Sequence, residues 1–311
     1  MPTFRLRTLL VAIADPFQRS NKAVRRAGEL AHKTGARLEF LHAIPPLGVG
    51  YGPMQAQASA ALLEAASAQN FAELERLARP LRREELLVNT TVLTGYAPHE
   101  AILRHARATG ADLIIIEARK HNQFARMLLR QTDYELMRHA DIPLLIVKGS
   151  THWRSPRILA AVDPFHSHDK PASLDGKIVL AGRSLARALD GTLHLAHVWW
   201  PLAEMLPGVI SESAGLAVTP AQNRAYQKAI RRYFHQAVRK YHIRESRQHL
   251  RRGDPGLELP SLARSVKASV VVMGAVSRSG LKRLFIGHTA ERVLDSLRCD
   301  ALIVTPQGFR A

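Results

Sequence analysis

At 311 residues, 46% of them hydrophobic, the chain is long enough for about two domains that each close their own core. No run approaches the roughly 20 apolar residues of a membrane-spanning helix, and a single cysteine, Cys299, excludes an intrachain disulfide. The formal net charge of +18 favours non-specific contact with polyanions.

In chain order, MPTFRLRTLLVAIADPF sets basic residues before an apolar run, as a secretory signal would. Asp15-Pro16 ends that run early, so it predicts a strand near 8–14. A helix near 21–34, a strand near 37–43 and an Ala-rich helix near 57–80 follow. Next come a strand near 86–93, a helix near 97–109, a strand near 112–117, a helix near 130–140 and a strand near 143–148. After the polar stretch GSTHWRSP the pattern resumes with strands near 157–162, 192–198, 244–250, 269–273 and 301–305. Helices are expected near 177–189, 220–241, 257–267 and 289–298. Runs such as Leu113–Ile116 and Val270–Val272 point to strands buried on both faces, hence to a parallel sheet covered by helices.

The second series repeats the first. LLVAIADPF, ending at Phe17, returns as ILAAVDPF, ending at Phe165, with Asp15 and Asp163 spaced by 148. Leu38–Pro46 (LEFLHAIPP) matches Leu193–Pro201 (LHLAHVWWP), and Ala111–Ile116 matches Ala268–Met273 at an ungapped offset of 157. Repetition on this scale is duplication of a whole domain. A signal peptide has no reason to recur in mid-chain, so the cytoplasm is the expected compartment. The expected architecture is α/β, two tandem doubly wound Rossmann-like domains at 1–149 and 157–311, joined by a linker at 150–156. Ligands in such sheets sit at the carboxyl ends of strands, where strand order reverses.

The copies differ after their fourth strand. The second reads Gly274-Ala-Val-Ser277, then Gly280 and Gly287-His288-Thr289 ahead of a helix. Glycines admit phosphate oxygens close to the backbone, and first-turn amides at a helix N-terminus attract anions. Thr289 is the expected N-cap, with Glu291 in the first turn. In the first copy Glu117, Gln123 and Arg130 stand at the three glycine positions, which predicts a phosphate site in the second copy alone.

Together these features resemble the universal stress protein family, specifically its tandem E-type members. The resemblance rests on Asp15 and Asp163, on His42 and His197 at the ends of the second strands, and on the tail GHTAERVLDSLRCDALIVTP. It implies an adenine nucleotide alpha-hydrolase-like fold, a stress-response role and ATP or AMP as the bound cofactor. The family's ATP-binding pattern falls on Gly274, Ser277, Gly287 and His288, where Ser277 replaces a glycine and His288 a small hydroxyl residue. By the same resemblance Asp163, Ala196 and His197 contact the nucleoside, and Thr289 lies beside the phosphates. It also implies that Pro143–Gly149 and Asp300–Pro306 pair within the chain, a pseudo-dimer that leaves room for a further homodimer. No catalytic group is evident, and any hydrolysis is expected to be slow.

Two rivals follow from the residues. One is a nucleotide-free scaffold working through unknown protein partners. The other is weak binding of nucleic acid or an anionic membrane surface by the helix at 221–242. There Arg224, Lys228, Arg231, His235, Arg239 and His242, widened by Arg232 and Lys240, oppose a stripe of Tyr226, Ile230, Tyr233, Phe234, Ala237 and Tyr241. Gly48, Gly50 and Gly52 read as a flexible connection, and the histidine pairs 166/168 and 194/197 as scattered residues without metal.

Overall fold

The computed structural model describes residues 4–46, 53–118, 123–149, 152–165, 174–200, 219–274 and 288–305. The first copy runs β1 (Thr8–Ala12), α1 (Lys22–Thr34), β2 (Arg37–Ile44), α2 (Pro53–Arg83), β3 (Val88–Thr94), α3 (Pro98–Thr109), β4 (Leu113–Glu117), α4 (Gln123–His139) and β5 (Leu144–Val147). The second runs β6 (Arg157–Ala161), α5 (Leu174–Ala188), β7 (Thr192–Trp199), α6 (Pro220–Val238), β8 (Gln248–Arg252), α7 (Pro255–Ser265), β9 (Val270–Gly274), α8 (His288–Ser296) and β10 (Asp300–Val304).

All ten strands join one sheet in the order β3-β2-β1-β4-β5-β10-β9-β6-β7-β8. Every neighbouring pair is parallel except β5 with β10, which run antiparallel with Leu145 opposite Leu302. The expected pairing of the two last strands is therefore present. Each copy reverses strand order beside its first strand, between β1 and β4 and between β6 and β9. Alternate residues of the central strands feed opposite cores: Leu9, Val11, Val270 and Val272 one, Leu10, Ile114, Val271 and Ile303 the other. That two-sided burial is why these strands read as unbroken apolar runs.

Local signals set the helix ends. Asn21 accepts the Val24 amide at 3.0 Å to cap α1, and Gly35 closes it in the left-handed conformation at φ 69°. Three elements depart from the pattern. α4 starts at Gln123 instead of 130, while α6 tightens into a 3-10 turn at Arg239–Tyr241. β8 is delayed to Gln248 because His242, at φ 50°, and a second 3-10 turn at Glu245–Arg247 reverse the chain first. On α6 the basic residues Arg224, Lys228, Arg231 and Arg239 are exposed as expected. Tyr233 is not part of the buried stripe: it is 50% exposed, with the Arg232 guanidinium 5.3 Å from its ring centre.

Side chains also lock the copies together. Asp300, fully buried, accepts from Arg26 Nε of α1 at 2.9 Å and from the Lys148 and Gly149 amides at 2.8 and 2.7 Å. The Lys148 ammonium donates to the carbonyls of Leu294 and Leu297 at the end of α8. Arg26 of the first helix and Lys148 and Gly149 after the last strand of the first copy thus hold the final helix and strand of the second. Among the described residues no helix is long and apolar enough to cross a membrane.

Candidate functional site

Strand order in the second copy reverses between β6 and β9, so the residues after their carboxyl ends converge. Asp163 follows β6, and its amide donates to Asp175 Oδ1 in the first turn of α5 at 3.1 Å. Its side chain is 37% exposed, and Oδ1 lies 3.7 Å from His197 Nδ1. His197 itself is buried and donates from Nδ1 to the Val162 carbonyl at 3.0 Å. A carbonyl only accepts, so this bond places the proton on Nδ1 and leaves Nε2 as the second functional nitrogen. Phe165 meets the imidazole edge-on at 4.8 Å, and Phe234 of α6 lies nearly parallel to it at 6.1 Å.

The first copy repeats the histidine and its bond. His42 Nδ1 donates to the Ile13 carbonyl at 2.8 Å, tying the second strand to the end of the first. Asp15 turns inward on its own loop, where Oδ1 accepts the Phe17 amide at 3.1 Å. The strand-end histidines are thus structural ties in both copies. In the second copy the Asp163 carboxylate stands beside His197 at the switch point.

Gly274 ends β9. A β-carbon there would come within 2.9 Å of Leu174 Cδ2 and 3.6 Å of Ile178 Cδ1, so glycine lets α5 pack directly against the strand end. At the matching position of the first copy, Glu117 Oε2 accepts the Lys22 amide at 2.7 Å. A carboxylate therefore fills the corner between β4 and α1 and consumes a donor at that helix's N-terminus. In the second copy glycine stands at that position, and among the described residues the carboxylate at the start of α5 is Asp175, which accepts the Asp163 amide.

α8 opens at His288, so Thr289 sits in the first turn of the helix instead of capping it, and it is exposed. First-turn amides have no partner within their own helix, which leaves them directed at whatever lies before it. Ala196 is fully buried in the core under the switch point. Ser277 and Gly287 lie outside the described residues, as do Gly48, Gly50, His166 and His168. The structure therefore brings Asp163, His197 and Gly274 to one end of the sheet, with Thr289 on the helix that follows β9.

Sequence reasoning missed three contributors here. Asp175, Phe165 and Phe234 shape the surroundings of Asp163 and His197. Phe165 was visible in the repeated Asp-Pro-Phe, and Phe234 in the apolar stripe of α6. His194, three residues before His197, faces away and pairs with His249 of β8 at 2.9 Å. Burial, with His249, Arg247 and Arg157 nearby, pushes its pKa down to about 4. That environment opposes a bound cation.

The universal stress protein family model matches this chain twice, over residues 5–148 and 155–305. Universal stress protein E of Escherichia coli (strain K12) is 26% identical over 318 residues, covering 97% of this chain and 95% of that protein. Its homolog from Haemophilus influenzae is 27% identical over 240 residues, 75% of this chain and 73% of that one. The crystal structure of a functionally unknown protein from Pseudomonas aeruginosa PAO1 superposes with a TM-score of 0.69 at 27% identity, covering 98% of this chain and 94% of that one. With both halves of its sequence matched and both built on the same switch-point topology, the chain belongs to the universal stress protein family and carries two copies of its domain.

Proposed function

We propose that this stress-response protein binds ATP or AMP in its second copy and acts through nucleotide-dependent conformation or partner binding. In this reading the copies span 1–149 and 157–311, with 150–156 between them. One contrast carries it: Glu117 fills the corner after β4 and bonds the Lys22 amide, whereas glycine stands at the equivalent corner after β9. A carboxylate at that position would repel phosphate, and glycine at 274 removes that repulsion. Asp163, partly exposed beside His197, suits recognition of ribose hydroxyls, since an ionised carboxylate only accepts. The amides of the α8 first turn, including that of Thr289, suit the phosphates, together with Gly287, His288 and Ser277. Ala196 and His197, at the end of β7, are the further nucleoside contacts in this reading.

Equilibrium dialysis with labelled ATP tests this reading. The expected result is saturable binding of one nucleotide per chain, abolished by Gly287→Arg and untouched by the reciprocal Arg130→Gly. Absence of saturation, or binding indifferent to Gly287→Arg, would instead favour a scaffold that works through protein partners.

A second reading has its own observation. The exposed cations of α6, with Arg232 over the exposed Tyr233, form a surface suited to nucleic acid or an anionic membrane. Affinity for a polyanion that falls steeply with salt, and with Arg231→Gln and Arg239→Gln, supports it. Salt-independent binding removes it.

A further inference from the structure

We propose that the cavity where the two copies and their connection meet is a second anion site, for a small phosphorylated ligand carrying at least two phosphate charges. The cavity has a volume of about 280 Å³, at the small end of the range for ligand pockets. It opens at the amino-terminal ends of β9 and β10, the opposite end of those strands from Gly274. Arg26, Gly149 and Trp153 wall one side, and Arg264, Lys267 and Arg298 the other; no carboxylate is among its described lining residues. Arg26 is committed to Asp300 and lies 4.0 Å over the Trp153 ring. Arg264, Lys267 and Arg298 are exposed, and none has an ion-pair partner among the described residues.

The first copy shows that the fold does not need these cations. At the offset of 157, its counterparts to Arg264, Lys267, Ser269 and Arg298 are Arg107, Gly110, Asp112 and Asp141. The register holds in the backbone: the Ala111 and Ala268 amides bond the carbonyls of Ala106 and Ala263, and those of Ala140 and Leu297 bond Leu136 and Val293. Arg107 is paired with Asp141 at 3.2 Å, and Asp112 accepts the Arg7 and Thr8 amides at 2.8 and 3.0 Å. The second copy has replaced both carboxylates and added two cations, leaving like charges where its twin has an ion pair.

Helix ends do not account for the change. α7 and α8 terminate here with about half a negative charge each, but α3 and α4 terminate the same way with their last-turn cations paired, Arg107 to Asp141 and Arg138 and His139 to Glu135. Lys267 adds an independent mark. It holds φ 52° at the turn where its twin, Gly110, holds φ 64°. That conformation crowds a β-carbon and suits glycine, so a lysine there is strained at the mouth of a cationic cavity. Clustered unpaired cations around a small concavity are the chemistry that recognises phosphate.

Inorganic pyrophosphate is the probe, with the full chain at physiological ionic strength. The single cysteine, Cys299, lines the cavity and reports its occupancy through labelling by an uncharged disulfide reagent. Calorimetry should show one saturable site, and saturation should slow Cys299 labelling severalfold. The double variant Lys267→Gly/Arg298→Asp installs the twin's residues on exposed positions and should weaken binding by about thirtyfold, the loss of two to three charge contacts. An α6 control, Arg231→Gln/Arg232→Gln/Arg239→Gln, removes similar charge and should leave affinity within about twofold. Gly287→Arg, which blocks the proposed nucleotide site, should leave this site intact. Failure to saturate, equal loss in the α6 control or in Gly287→Arg, unchanged labelling at saturation, or orthophosphate binding as tightly would each overturn the proposal.

Discussion

The two copies are built on one backbone plan and diverge at its two ends. At the carboxyl ends of the strands, Glu117 closes the first copy by bonding the start of α1, while Gly274 stands at the equivalent position of the second. At the amino-terminal ends, Asp141 neutralises Arg107, while Arg298 stands beside Arg264 in the same cavity wall. What stays constant is packing: buried strands and the imidazole-to-carbonyl ties of His42 and His197. In the proposed reading, duplication separates the requirements of folding, which both copies meet, from those of binding, which the second copy alone carries.

The sharpest way to break the comparison is to break the seam that joins the copies. Asp300→Ala leaves the buried Arg26 guanidinium with Glu29 alone and the Lys148 and Gly149 amides without their acceptor, and should destabilise the protein by about 3 kcal/mol in denaturant unfolding. A loss below about 1 kcal/mol would mean that the strand pairing alone joins the copies.

A smaller effect concerns pH. Burial pushes the Asp133 carboxyl up to about 7, partly opposed by the Lys148 ammonium. The folded state then holds a proton that the unfolded state releases near pH 3.8, so this contribution is full below that pH. It is lost as pH rises through about 7. Asp133→Asn should therefore be more stable than the parent at pH 8, by on the order of 3 kcal/mol, and equal to it near pH 4. Parallel stability profiles across that range would contradict the assignment.

The smallest effect is at Lys267. Restoring the twin's glycine relieves a left-handed residue but loosens the unfolded chain, so Lys267→Gly should gain about 0.5 kcal/mol in thermal unfolding. A loss instead would show that the lysine stem packs usefully there.

Much of the fold was legible in the residues because buried parallel strands leave an unmistakable trace. Leu113–Ile116 and Val270–Val272 have no polar position to obscure them, and Asn21 and Gly35 punctuate α1 locally. Boundaries failed where the chain turns by backbone conformation instead of composition: nothing in His242 announces a positive φ, so β8 was placed four residues early. The seam was invisible for another reason. Arg26 and Asp300 lie 274 residues apart, and no local pattern marks either as a partner. The histidines at the strand ends were seen, but not that each reaches a carbonyl of the neighbouring strand. The exchange of Asp141 for Arg298 was readable from the ungapped repeat alone. Only a cavity that also includes Arg26 and Trp153 gives that exchange a meaning.

Amide hydrogen exchange with and without saturating ATP tests the asymmetry of the copies most directly. The account predicts slowed exchange at the end of β9, in the first turn of α8 and around Asp163, with the end of β4 and the Lys22 amide unchanged. Equal protection at both strand ends, or none at either, would contradict it.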